Sequence, residues 1–440
     1  MIKESLSSRS ARHLVYALAG AASLAVHSAA AATYSWVPST GGNWDLTTAN
    51  WNDGVSTTAW VNGVGNAASF GAFGAGPTIS LTTNIVAGTL TTNGGATLVL
   101  NGAGTLDVTT ITTGNSGSID LSVKLTGSHG LTLTSTGAAG SQGRLNIKAA
   151  ADYTGDTTLS GTAYLLSDNV SNALPITTTL NMSSGTTFRF AKNGVTQEIA
   201  GLAGNGTVTS SATGSVLTLR TKSGVTTAYS GSMGFTGGGV LSVVVAGSGT
   251  QTLSGGNLNY NGSTTVSSGT LLLGASLNNS SSVTVSGGTL NSSALDTKLG
   301  AGAVSMSSGT IDIRGSAAGK FTLAAGQNFT TTGGTIKFDL GTGTDQIIGS
   351  GVGAFSLTNT TLALILGTGF DYSNSYTLFS GFSGGSLSGL VVSGYDTTNY
   401  TASLSNAGVL SFAAVPEPST IALGALGVAL IAFRLRRRAI

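Results

Sequence analysis

Cysteine is absent from the 440 residues, which excludes disulfide frameworks, thiolate metal sites and cysteine nucleophiles. Histidine is almost as scarce. His13 and His27 lie in an N-terminal export-type segment, leaving His129 as the sole histidine of the chain beyond it. No two-histidine metal site forms from one such chain, and no HExxH pattern occurs. A Ser–His–Asp triad would have to run through His129, whose setting Gly127-Ser128-His129-Gly130 reads as a solvent-facing turn. Charge is sparse too, at 8% of residues against about a quarter in ordinary domains. Ser223–Leu295 contains no Asp, Glu, Lys or Arg at all. With three glutamates in the whole chain, helix-building composition is missing and helical folds are excluded.

What is present is glycine, serine and threonine: 67, 58 and 65 residues, or 43% of the chain. An apolar share of 40%, regularly interspersed, distinguishes this from a disordered linker and supplies a core. The formal charge of +2 resides at the termini. Setting aside Lys3, Arg9, Arg12, Arg434, Arg436, Arg437 and Arg438, with Glu4 and Glu417, leaves 11 basic and 14 acidic residues. That dilute, slightly acidic body offers no footprint for nucleic acid.

The first 32 residues read as a signal peptide. A basic start is followed by the apolar run Leu14–Val26, then by small residues that place cleavage between Ala32 and Thr33. At the other end stand Val415-Pro416-Glu417-Pro418, the apolar stretch Ser419–Phe433, and the arginines 434 and 436–438. As a helix that stretch measures roughly 22 Å, short of a hydrocarbon core of about 30 Å, with arginines able to snorkel and stop transfer. The expectation is a single C-terminal transmembrane helix anchoring the chain before processing.

Pro416, Glu417 and Pro418, followed by an apolar helix and an arginine cluster, resemble the PEP-CTERM sorting signal of Gram-negative bacteria. That resemblance implies recognition by an exosortase-type membrane peptidase, after a signal peptidase has acted at the N-terminus. It implies an inner-membrane precursor and a final place in the cell envelope, surface or extracellular matrix.

Between the ends a phrase recurs, Gly-Thr followed by Leu, Ile or Val, at Gly88, Gly104, Gly206, Gly269, Gly288, Gly309 and Gly334. Around it apolar residues alternate with Ser or Thr, as in Ser282-Val283-Thr284-Val285 and Thr310-Ile311-Asp312-Ile313. Period-2 alternation inside a repeat of about 20 residues means that one unit must stack on the next to close a core. The expected fold is all-β, a right-handed parallel β-helix of about 15 coils at roughly 4.8 Å each. A β-sandwich series is the alternative.

Asp152-Tyr153-Thr154-Gly155-Asp156-Thr157-Thr158-Leu159 and Asn259-Tyr260-Asn261-Gly262-Ser263-Thr264-Thr265-Val266 resemble the phrase of the autotransporter-associated β-strand repeat. No C-terminal membrane barrel follows, so self-translocation is not implied. The expected organisation is a signal peptide 1–32, a Trp-rich cap with first coils 33–95, solenoid repeats 96–369, a second aromatic cap 370–412 and the sorting signal 413–440.

All four tryptophans, Trp36, Trp44, Trp51 and Trp60, fall within 25 residues. They suit a cap over the open end of a coil stack; a sugar-stacking platform is the alternative. Acidic pairs are few. Asp152 and Asp156 fit turn formation, Asp312 with Arg314 fits a surface ion pair, and Gly341–Ile347 echoes half of a calcium-binding nonapeptide. No catalytic, cofactor-binding or metal-binding residue is assigned. The reading is a non-enzymatic exported structural protein with exopolysaccharide as a candidate partner; the alternatives are a glycan-binding or carbohydrate-active β-helix, or an adhesin.

Overall fold

The computed structural model describes residues 31–138, 140–313, 319–416 and 418–437. The signal-peptide assignment over 1–32 therefore falls almost wholly outside the described residues. From Thr33 onward the chain winds into a β-solenoid of about 13 turns, with one helix after it, Pro418–Arg437.

Coil stacks on coil through parallel pairing. On one face Leu90 lies beside Ile111, Ile111 beside Leu133, Leu133 beside Leu159 and Leu159 beside Met182. These side chains are at most 2% exposed and form the core. Their strand neighbours point outward, because successive residues of a strand alternate faces. Thr226, Thr250, Thr270, Thr289, Thr310, Thr335 and Thr361 fall in register as one outward column along the rod. A second face runs from Gly41–Trp44 to Ser232–Phe235 as nine strands. It continues through single bridges at Leu258, Leu277 and Leu299 into a four-stranded stretch ending at Phe379–Ser380.

The turn count is lower than the 15 expected because the coils are longer than 21 residues. Ile119 follows Leu98 by 21, but Arg144 follows Ser118 by 26, Ser232 follows Thr207 by 25 and Phe379 follows Ile347 by 32. The extra residues leave the sheet as loops, which costs little entropy per added residue. The recurring Gly-Thr phrase makes the corner. Gly309 sits at φ +86°, and a Cβ there would lie 2.3 Å from the Gly288 carbonyl oxygen of the preceding coil. Only glycine turns so sharply against a backbone that close.

The two Tyr-containing phrases build the same device. The buried Tyr153 hydroxyl meets Thr157 Oγ1 at 2.6 Å, Thr157 meets Thr178 Oγ1 of the next coil at 2.8 Å, and Thr178 donates to the Gly155 carbonyl. Tyr260 repeats this with Thr264 (2.8 Å), Ser280 (2.8 Å) and the Gly262 carbonyl. Burial pushes both phenols up from their ordinary value, so each remains a neutral donor that can close a buried chain of hydroxyls.

Candidate functional site

At the N-terminal end, Thr33–Trp36 pairs in parallel with the first coil strand Gly63–Phe70 and antiparallel with Trp51–Asn52. This folds the tryptophans over the end of the core. Trp44, Trp51 and Trp60 are at most 1% exposed and Trp36 is 7% exposed. Trp51 contacts Trp36, Trp44, Trp60 and Phe70 with ring centroids 4.9–5.3 Å apart. Tilted and edge-on rings fill the end without a flat face left for a sugar. The predicted cleavage site lies at the rim of this cap: Ala32 packs against the core and accepts from the Ala67 amide at 2.8 Å.

At the C-terminal end the cover is a three-stranded antiparallel sheet. Its central strand Val409–Ala414 is flanked by Tyr400–Leu404 and by the two-residue strand Tyr376–Thr377. Phe370, Tyr372, Tyr395, Tyr400 and Phe412 are only half-buried here. Tyr372 and Tyr400 stack with centroids 3.8 Å apart and planes 5° from parallel. Two tyrosine hydroxyls fasten the connecting loops. That of Tyr376 accepts from the Asp371 amide at 2.7 Å, and that of Tyr372 accepts from the Asp396 amide at 2.8 Å. A cleft of about 470 Å³ opens beside Phe370, Tyr372, Ser373, Tyr400, Phe412 and Ala414.

The sorting residues follow at once. Val415 still donates to the Asn399 carbonyl at 2.8 Å, Pro416 is exposed, and the helix begins at Pro418. Proline suits the first turn of a helix, where no intrahelical donor is lost. Glu417 and Arg438 lie outside the described residues; Arg434, Arg436 and Arg437 close the helix. Leu423, Leu426, Val428, Leu430 and Ile431 are more than 60% exposed, so the helix stands off the body. No helix of the described residues is long and apolar enough to cross a membrane. This corrects the expectation of a spanning helix. Polar residues at its start and arginines at its end leave Ile421–Phe433 apolar, roughly 20 Å at about 1.5 Å per residue.

Other residues singled out in the sequence prove to be dispersed. His129 is not a solvent-facing turn residue: it is half-buried, with Nε2 2.5 Å from Asp107 Oδ1 of the preceding coil. Asp152 pairs with Lys124, whereas the Asp156 carboxylate accepts from the Thr179 amide at 3.0 Å. Asp312 is not on the surface but 3% exposed, with Lys337 Nζ 3.3 Å from its carboxylate; its expected partner Arg314 lies outside the described residues. Asp345, the acid of the half nonapeptide, is also turned inward. It accepts from the Gly319 and Asp339 amides at 2.8 Å each, and burial raises its pKa to about 6. Among the described residues no group of three or more acids or histidines is placed to hold a metal ion.

Sequence reading missed one charged face. Lys148 Nζ lies 2.7 Å from Asp120 and 3.8 Å from Asp168, and a cleft of about 350 Å³ beside it includes Asn169 and Lys192. These residues are 20 to 28 apart in the chain, and only coil register brings them together.

Comparison with known proteins bears on the tag. The family model of the PEP-CTERM protein-sorting motif matches residues 414–438, which is to say from the last residue of the cap strand to the arginine cluster. Such a motif implies processing by an exosortase-type membrane enzyme and delivery to the cell envelope or surface of a Gram-negative bacterium. No curated protein matches the chain.

Proposed function

We propose that this is a non-enzymatic, exported β-solenoid of the Gram-negative cell surface or extracellular matrix, delivered by its signal peptide and sorted through its C-terminal tag. The observation that carries this reading is the sorting motif attached directly to the capped end of the coil stack. A signal peptidase acts first at Ala32–Thr33, and an exosortase-type enzyme then meets the precursor at the inner membrane. Kinship with the autotransporter-associated repeats is supported by the matching hydroxyl chains around Tyr153 and Tyr260. Uncharged outward columns of threonine favour a neutral polymer such as exopolysaccharide as the neighbour in the matrix. The glycan-binding alternative loses its tryptophan platform to burial and rests on the Lys148–Lys192 cleft.

Intact mass and terminal peptide mapping on protein from envelope and medium fractions test this. The expected chain begins near Thr33 and ends near Pro416. A chain retaining its arginines and confined to the inner membrane overturns the sorting step.

A further inference from the structure

Tag and cap share residues. The matched motif starts at Ala414, which is still paired with Tyr400 inside the cap sheet. The last ladder bond runs from the Val415 amide to Asn399, and the helix starts at Pro418. Pro416 and Glu417 alone intervene, a reach of about 7 Å at full extension. An enzyme that grips the tag therefore touches the cap.

The cap presents a main-chain edge at that place. Along Val409–Ala414 the backbone groups alternate sides. Val409 and Val415 bond toward the Tyr400–Leu404 strand, through Ser405 and Asn399, whereas the neighbouring Gly408 carbonyl faces Leu378 on the opposite side. By the same alternation Phe412 and Ala414 turn their N–H and C=O to that opposite side. The strand there, Tyr376–Thr377, covers Val409 and Leu410 and stops. Beyond it lies the aromatic cleft, which Phe412 and Ala414 help to line. An open edge beside an apolar cleft is the pattern by which proteins accept an extended segment as an added strand, main chain for affinity and cleft for specificity.

Resting on the sorting reading above, we propose that the membrane enzyme that processes the tag docks on the folded cap. It adds a strand to the edge at Phe412–Ala414 and seats an apolar side chain in the cleft between Phe370, Tyr372 and Phe412. The tag is thus read together with the end of the solenoid, not as a free peptide.

Two full-length variants test this in the producing cell, with tag removal followed by immunoblot and peptide mapping. Inserting Gly-Ser-Gly-Ser between Val415 and Pro416 separates tag from cap without touching the fold. Ser373→Trp fills the cleft from an exposed position. Both slow processing by about tenfold, the loss expected for one or two main-chain bonds, and both keep the wild-type melting temperature. Processing at the wild-type rate or faster in either variant overturns the proposal, the spacer result showing that the enzyme needs only an accessible tag. A Pro416→Ala, Glu417→Ala double variant separates the two readings. If it too is processed normally, the sorting reading itself fails; if it is blocked while the spacer variant is processed freely, only docking fails.

Discussion

The two ends of this rod meet the same physical demand in different ways. A coil stack must cover its last apolar layer, and both ends do so with aromatic rings on antiparallel strands. At the N-terminus, four tryptophans close completely over the core, Trp51 wedged among three others and Phe70. At the C-terminus, the rings of Phe370, Tyr372, Tyr400 and Phe412 remain half-exposed and leave a cleft and an open strand edge. The first end is built only to be sealed. The second has to be sealed and still be handled by another protein, because the sorting motif begins within it.

Cap substitutions provide the largest contrast. Trp51→Ala removes a fully buried ring and is expected to cost about 3–5 kcal/mol, measured by equilibrium denaturation. Tyr400→Ala removes a half-exposed stacked partner of Tyr372 and is expected to cost about 1–2 kcal/mol. Equal losses would mean that the two ends are energetically alike and the comparison is wrong.

Titration separates the ends from the coils between them. Asp345, inside the body, has its pKa raised to about 6 by burial, so it binds a proton more tightly folded than unfolded. Its contribution is complete below about pH 4 and is lost as pH rises through 6, by at most roughly 3 kcal/mol. The cap acids run the other way. Burial pushes Asp45 up slightly, but bonds from Thr48 and Thr47 outweigh it. Bonds from Ser56 and Val55 hold Asp53 down, those from Ser373 hold Asp371 down, and the Asn399 side chain holds Asp396 down. Their stabilisation is present above about pH 4 and disappears as pH falls further. Thermal melts should therefore show the limb between pH 4 and 6 in the wild type and lose it in Asp345→Asn. A wild-type melting temperature flat across that interval would show that Asp345 does not titrate there.

The smallest effect concerns how rods meet. Residues 33–123 and 338–433 contain aspartates but no lysine or arginine, so both ends carry only negative charge. Two like-charged ends repel at neutral pH, over a range of about 8–10 Å at physiological salt. Light scattering is expected to show single rods at pH 7 and modest end-to-end growth near pH 3, where the cap carboxylates discharge. Growth already at pH 7 in low salt would remove charge from the account of the ends.

Much of this architecture is visible in the residues themselves. The alternation in Ser282-Val283-Thr284-Val285 marks which side chains face in, and both hold in the structure: Val283 and Val285 are buried, and Thr284 faces outward. The clustering of tryptophan marks one end, and Pro416-Glu417-Pro418 with the following arginines marks the tag. His129 was legible only as a turn residue, because Asp107 stands 22 residues away and reaches it through coil register. Asp345 looked like a loop acid among Gly and Thr, and nothing nearby in the chain indicates that Gly319 and Asp339 turn their amides onto it.

The sequence by itself determined what is local: strand period, glycine corners, aromatic ends and the terminal address. These follow from backbone sterics and from side chains alternating every second residue, which need no distant partner. Tertiary structure alone decided the number of turns, the pairing of charges across coils and the open edge beside the tag. Each depends on how many residues every loop holds back before the next coil, and a shift of a single residue turns an inward side chain outward.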